Sequence, residues 1–121
     1  MDSPKQTVSL IPGDKVAGTE VYNHDGDHLG SVEDVMIDKI SGKVAYAVMS
    51  FGGFFGIGEK YHPLPWSTLH YDTGKDGYVV NLSKEQLKGG PTFERTAAPD
   101  WQDRRYEEKL HKYYAAPPYW V

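Results

Sequence analysis

A mainly β domain, a small barrel or a sandwich, is what residues 12–96 predict, and three features carry that prediction. Short runs of β-branched and aromatic residues recur along the stretch. Asp25-Gly26 and Ser41-Gly42 punctuate them at hairpin spacing. One run, Val44 to Phe51, is apolar on both alternating faces. Short strands separated by turn chemistry are the pattern of small all-β folds. The length of 121 residues suits one domain. Composition divides it into a polar lead (residues 1–11), the β-rich body (12–96) and a C-terminal part (97–121) that is charged, then aromatic and Pro-rich.

Taken in order, Thr19 to Tyr22 is a β-prone run that stops at His24-Asp25-Gly26-Asp27, where Asp-Gly supplies the positive φ of a hairpin turn. Leu29 to Ile40 is the next expected strand. Its alternation breaks at Val35-Met36-Ile37, which predicts a bulge or a strand buried on both faces. Ser41-Gly42-Lys43 is a second tight turn. Val44 to Phe51 then reads as a central strand. Gly52 to Gly58 carries four glycines, which open φ values closed to other residues. Tyr61 to Trp66 contains two prolines and belongs at a sheet edge or a break in pairing. Ser67-Thr68-Leu69 reads as one helical turn. His70 to Asp72 leads into the turn Thr73–Gly77, and Tyr78 to Leu82 is expected to close the barrel. Ser83 caps a short helix, Lys84 to Lys88, that ends at Gly89-Gly90-Pro91.

In the C-terminal part Asp100 is the expected N-cap of a helix over Trp101 to Tyr114, with Tyr106, Leu110, Tyr113 and Tyr114 as its apolar stripe. Pro117 and Pro118 stop it. Six of the 16 aromatic residues fall in the last 21 positions, so this segment packs on something or binds something. Folding back on its own barrel and lying across a second copy both stay open, as does capture of a foreign protein. Arg104, Arg105, Lys109 and Lys112, interspersed with Glu107 and Glu108, read as an ordinary charged face.

The formal net charge of −4 argues against a nucleic-acid phosphate backbone as partner. The absence of cysteine excludes disulfides, thiolate nucleophiles and Cys-based zinc sites. The N-terminal residues hold no apolar signal region, and no run approaches the length of a spanning helix, so a cytoplasmic protein without a transmembrane segment is the expectation.

Each candidate constellation has a structural competitor. His24, Asp25, Asp27 and His28 carry metal-ligating groups, but a hairpin turn would splay them, and a solvated turn is preferred. Glu33, Asp34 and Asp38 read as a solvated strand face, with Asp34 and Asp38 on one side. His62 and His70 lack a serine–carboxylate companion set and read as structural. Trp66 reads as a barrel plug. The glycine-rich segment lacks the Lys and the following helix of a phosphate loop. Its Phe54, Phe55 and Ile57 are candidates for a contact surface, together with Trp101, Tyr106, Leu110, Tyr113, Tyr114, Tyr119 and Trp120. No catalytic residue and no cofactor are expected.

Gly18 to Asn23, Gly26 to Gly30, Ile37 to Val48, Phe51 to Trp66 and Leu82 to Leu87 together resemble the PRC-barrel family, over roughly residues 12–93. Pro117-Pro118-Tyr119-Trp120 is similar to the tail of bacterial single-domain members. The resemblance implies a highly curved barrel of about six strands, related to the cytoplasmic part of the photosynthetic reaction-centre H subunit and to the C-terminal half of a ribosome maturation factor. No counterpart of the transmembrane helix of the first or of the N-terminal domain of the second is expected here, so neither specific role is expected to transfer. What the family implies is a non-catalytic barrel that docks on larger assemblies. The expected function is therefore a protein-interaction or assembly module that self-associates, as a dimer. A small-ligand or metal-binding protein, using the His24–His28 turn or a pocket behind Tyr61–Trp66, is the alternative. An RNA- or ribosome-associated factor is the second.

Overall fold

The computed structural model describes residues 10–51, 60–94 and 97–120. After a single helical turn, α1 (Gly13–Val16), strand β1 (Glu20–Asn23) and strand β2 (His28–Ile37) form an antiparallel hairpin. The buried Asn23 organises its turn. The side-chain oxygen accepts from the amides of Asp25 (3.0 Å) and Asp27 (2.9 Å), and Gly26 takes φ +86°. An Asx-type turn of this kind replaces ladder hydrogen bonds with local ones.

Strand β2 ends at Ile37, three residues before the expected Ile40. Asp38 is the reason. Its carboxylate accepts from the Ile40 amide (3.2 Å) and the Ser41 hydroxyl (2.8 Å), and Gly42 closes the turn at φ +78°. The Ser41 hydroxyl, first among several contacts, holds the Asp38 carboxyl below its ordinary value. Asp38 is thus a turn residue and does not share a strand face with Asp34. The break in alternation appears as a register shift between Met36 and Ile37, with another between Val32 and Asp34.

Strand β3 (Val44–Phe51) has β2 on one side and β4 (Lys60–Pro65) on the other, and its six inner residues are all buried. The proline-bearing β4 lies at the end of the sheet, as its composition predicts. Among the described residues its outer side is met by one two-way bridge between Tyr61 and Phe93 (2.9 and 3.0 Å). A 3-10 turn (Trp66–Thr68) leads into β5 (Leu69–Asp72) and then β6 (Gly77–Val80).

The strand order is β4-β3-β2-β1-β6-β5, antiparallel throughout except for β1 against β6. The two outer strands are consecutive in sequence. Pro65 and Leu69 stand four residues apart, a reach of at most about 14 Å, whereas the ends of a flat six-stranded sheet would be about 24 Å apart. The sheet must therefore curl, and it forms a half-barrel. Tyr78 and its neighbours do not close it. β6 is an inner strand, and the short β5, which the sequence did not mark as a strand, is the edge beside it.

The concave side is filled by Val21, Val32, Met49, Leu64 and Val80, each at most 1% exposed. Helix α2 (Lys84–Gly89) caps one end with Leu87. Ser83 caps its start as predicted, and Gln86 completes a capping box with it (3.0 and 2.9 Å). Helix α3 (Arg104–Tyr113) is shorter than expected. Its N-cap is Asp103, which accepts from the Arg105 amide at 3.0 Å, while Asp100 caps only a preceding turn through Gln102. Trp66 sits half-buried against Tyr78, with ring centroids 5.3 Å apart.

His62 on β4 is 3% exposed, and its Nδ1 has no hydrogen-bond partner among the described residues. Burial holds its pKa below the ordinary 6.5. The folded chain keeps this imidazole neutral while the unfolded chain protonates it, so the associated stability is present above pH 6.5 and is lost as pH falls below it. Urea midpoints measured at neutral and mildly acidic pH should fall less steeply with acid in His62→Leu than in the unaltered chain. Equal slopes would contradict this assignment.

Candidate interaction surface

The C-terminal segment lies on its own barrel. Its anchor is Tyr46, a β3 residue 1% exposed, whose hydroxyl donates to Oε1 of Glu107 (3.1 Å) and lies 2.8 Å from Nε2 of His111. Tyr119 donates to the same carboxylate oxygen (2.6 Å), and Arg104 pairs with the other at 3.0 Å. Nδ1 of His111 lies 3.2 Å from the Ala116 carbonyl. That carbonyl only accepts, so Nδ1 carries a proton.

Aromatic rings enclose this cluster. Trp101 lies 5.5 Å and Tyr119 5.6 Å from Tyr46. Trp120 packs on His111 at 5.0 Å, with the Arg104 guanidinium 4.1 Å from its ring. A carboxylate, an imidazole and phenols side by side are groups that acid–base chemistry uses. Here Glu107 and His111 are 4% and 5% exposed, and their polar atoms are taken up by Tyr46, Tyr119, Arg104 and the Ala116 carbonyl. The cluster is a latch that fastens the segment.

Glu107 is therefore not part of an ordinary charged face. The buried line of α3 runs through Glu107, Leu110, His111 and, at the C-cap, Tyr114, rotated from the expected stripe. Leu110 is fully buried core, and Tyr114 packs against Gly90, where an added Cβ would come within 2.4 Å of its hydroxyl. Tyr106 is half-buried. Tyr113 is partly exposed and donates to the Gln86 carbonyl at 2.6 Å. Leu110 and Tyr114 are thus covered by their own chain, while Tyr113 and Tyr119 keep outward surface. Phe54, Phe55 and Ile57 lie outside the described residues.

Burial, reinforced by the Glu107 carboxylate, pushes the Tyr46 hydroxyl far above the ordinary tyrosine value of 10. Burial pushes Tyr106 up to about 12 and raises Tyr114 as well. The unfolded chain loses these protons from pH 10 upward while the folded chain holds them, Tyr106 until about pH 12, so between pH 10 and 12 stability should fall by about 1.4 kcal/mol per pH unit for each tyrosine. Absorbance at alkaline pH should show these three tyrosines ionising only as the chain unfolds. Their titration near pH 10 in a folded protein would refute the burial argument.

The outward apolar surface sits beside the latch. At the β2–β3 turn Ile37 is 55% and Ile40 97% exposed. Met36, Ile37 and Ile40 line a groove of about 340 Å³ with Trp101 and Tyr119, and Glu107 and Tyr46 lie at its floor. No local signal in the sequence marked Tyr46, Glu107 or His111, because their partners are about sixty residues away along the chain.

The proposed metal ligands are not gathered. His24 and Asp25 point from an exposed turn, Asp27 accepts from Asn23 at 3.2 Å, and His28 pairs with Glu20. Among the described residues no three His, Asp or Glu side chains converge on a common point. His70 is exposed on β5, apart from the buried His62. No helix among the described residues is long and apolar enough to cross a membrane.

Comparison with known proteins fits this architecture. The chain is 30% identical over 71 residues to an uncharacterized protein of Deinococcus radiodurans. The shared stretch is 59% of this chain and 25% of that protein, so the chain spans about a quarter of the relative's length. The PRC-barrel domain matches residues 10–87, from the lead into α1 through the end of the sheet and most of α2. With the sheet order and curl described above, that match places the chain in the PRC-barrel family.

Proposed function

We propose that this PRC-barrel protein works by binding protein, as an assembly module that self-associates, and not by catalysing a reaction. The observation that carries the reading is the exposed apolar corner of Ile37 and Ile40 beside the groove that Trp101 and Tyr119 line. Large apolar side chains held outward at a turn, next to aromatic surface, are the composition of an interface core. The hydrogen bonds that join Tyr46 to Glu107 and His111 support a structural role for this cluster of acid–base group types. A net charge of −4 favours a protein over nucleic acid, and a cytoplasmic setting accords with the composition.

Light scattering and sedimentation of the full chain at tens of micromolar should give a dimer. Ile40→Asp should weaken it at least tenfold, about 1.4 kcal/mol, with an unchanged circular dichroism spectrum. A strictly monomeric mass for the unaltered chain would overturn the self-association.

A further inference from the structure

The C-terminal segment holds the barrel through a seat that a second copy can supply equally well. We infer that residues 104–120 exchange between two chains, so that Glu107, His111 and Tyr119 of one copy close on Tyr46 of the other. The inference rests on the self-association proposed above and specifies how it is built.

Three observations lead there. The family match ends at residue 87, so the barrel-side half of the seat, Tyr46 on β3, belongs to the matched domain and the covering half lies beyond it. Among the described residues the buried Tyr46 hydroxyl has its hydrogen-bonding partners only in the covering half, so that face requires an occupant of this chemistry. The segment that meets the requirement is the chain's own, and every copy carries it.

The seat is also imperfect, whichever copy fills it. The hydroxyls of Tyr106 and Tyr114 are buried with no hydrogen-bond partner among the described residues. Each such group leaves the closed segment less firmly held, which lowers the barrier to release. The connector Ala97–Asp103 contains no helix or strand, so letting go disrupts no regular element. Exchange remakes every latch contact in the other copy. The balance then depends on the connector and on concentration alone, which is why segment exchange is a low-cost route to dimers.

Connector length is therefore the lever. Deleting Ala97 and Ala98 shortens the reach by about 7 Å, so the segment can no longer settle on its own barrel but can still settle on a neighbour's. Inserting four Gly/Ser residues relaxes the internal path. Both variants leave the seat residues untouched. By sedimentation the deletion should tighten the dimer at least tenfold and the insertion should weaken it at least tenfold. Dimer affinity within threefold of the unaltered chain in the insertion variant, or a monomeric deletion variant, would overturn the exchange. A dimer abolished by Ile40→Asp but indifferent to connector length would leave self-association standing and remove only this inference. A monomeric natural chain would remove both, whatever the deletion variant does.

Discussion

Gly30→Ala is expected to destabilise the barrel by at least about 3 kcal/mol, a large part of the 5–15 kcal/mol that holds a typical domain together. Gly30 lies in β2 where the β3 backbone passes closely. A Cβ there would sit 1.8 Å from the Ser50 carbonyl oxygen and 3.0 Å from its carbon. No rotamer relieves a clash with main chain. The strands would have to separate, and the Ser31–Ser50 pairing beside it would open. Gly13 is the control. Nothing lies within 4 Å of its added Cβ, so Gly13→Ala should stay within about 0.5 kcal/mol of the unaltered chain. Urea unfolding of both variants decides the matter, and a Gly30→Ala midpoint equal to that of Gly13→Ala would show that the strands accommodate the methyl.

Glu107→Ala should cost about 2–3 kcal/mol. The buried carboxylate receives the protons of Tyr46 and Tyr119 and the Arg104 guanidinium. Its removal strands the Tyr119 hydroxyl and leaves Tyr46 with His111 alone. Arg104, nearly half exposed, regains water and so limits the loss. Glu107→Gln keeps the accepting oxygen and should cost about half as much, whereas Glu108→Ala, at an exposed position one residue on, should be silent. Thermal melts of the three variants give the order. Equal effects for Glu107→Ala and Glu108→Ala would mean that the latch contributes nothing to holding the segment.

The difference between those two neighbouring glutamates shows where sequence reasoning stops. Turn chemistry is local, so Asp25-Gly26, Ser41-Gly42 and the Ser83 cap could be read directly, as could Val44 to Phe51 from its two apolar faces. The start of α3 turned on two similar aspartates, Asp100 and Asp103. Asp103 caps the helix and also clamps the Arg105 side chain (3.1 and 3.3 Å), an advantage that composition does not display. The buried face of α3 differs from the expected stripe because hydropathy assigns Glu107 and His111 to solvent, and their burial becomes tolerable through Tyr46, Tyr119 and Arg104. Strand β5 has four residues, two of them His70 and Asp72, and becomes a strand only because β6 is there to pair with it. The apolar corner was hidden for a different reason. Ile37 and Ile40 looked like strand interior until the Asp38 turn put them outside.

The parallel contact of β1 with β6 sets the order in which the molecule can assemble. Strands β1 to β4 pair with sequence neighbours and can form as a meander while the chain is still emerging. Val21 meets Tyr78 only after more than fifty intervening residues have been made and gathered, and that closure carries a loop-entropy cost that local hairpins avoid. Until then one side of β1 is a bare backbone edge, open to pairing with another nascent chain. Synthesis past Val80 is thus the point at which the growing polypeptide ceases to be adhesive.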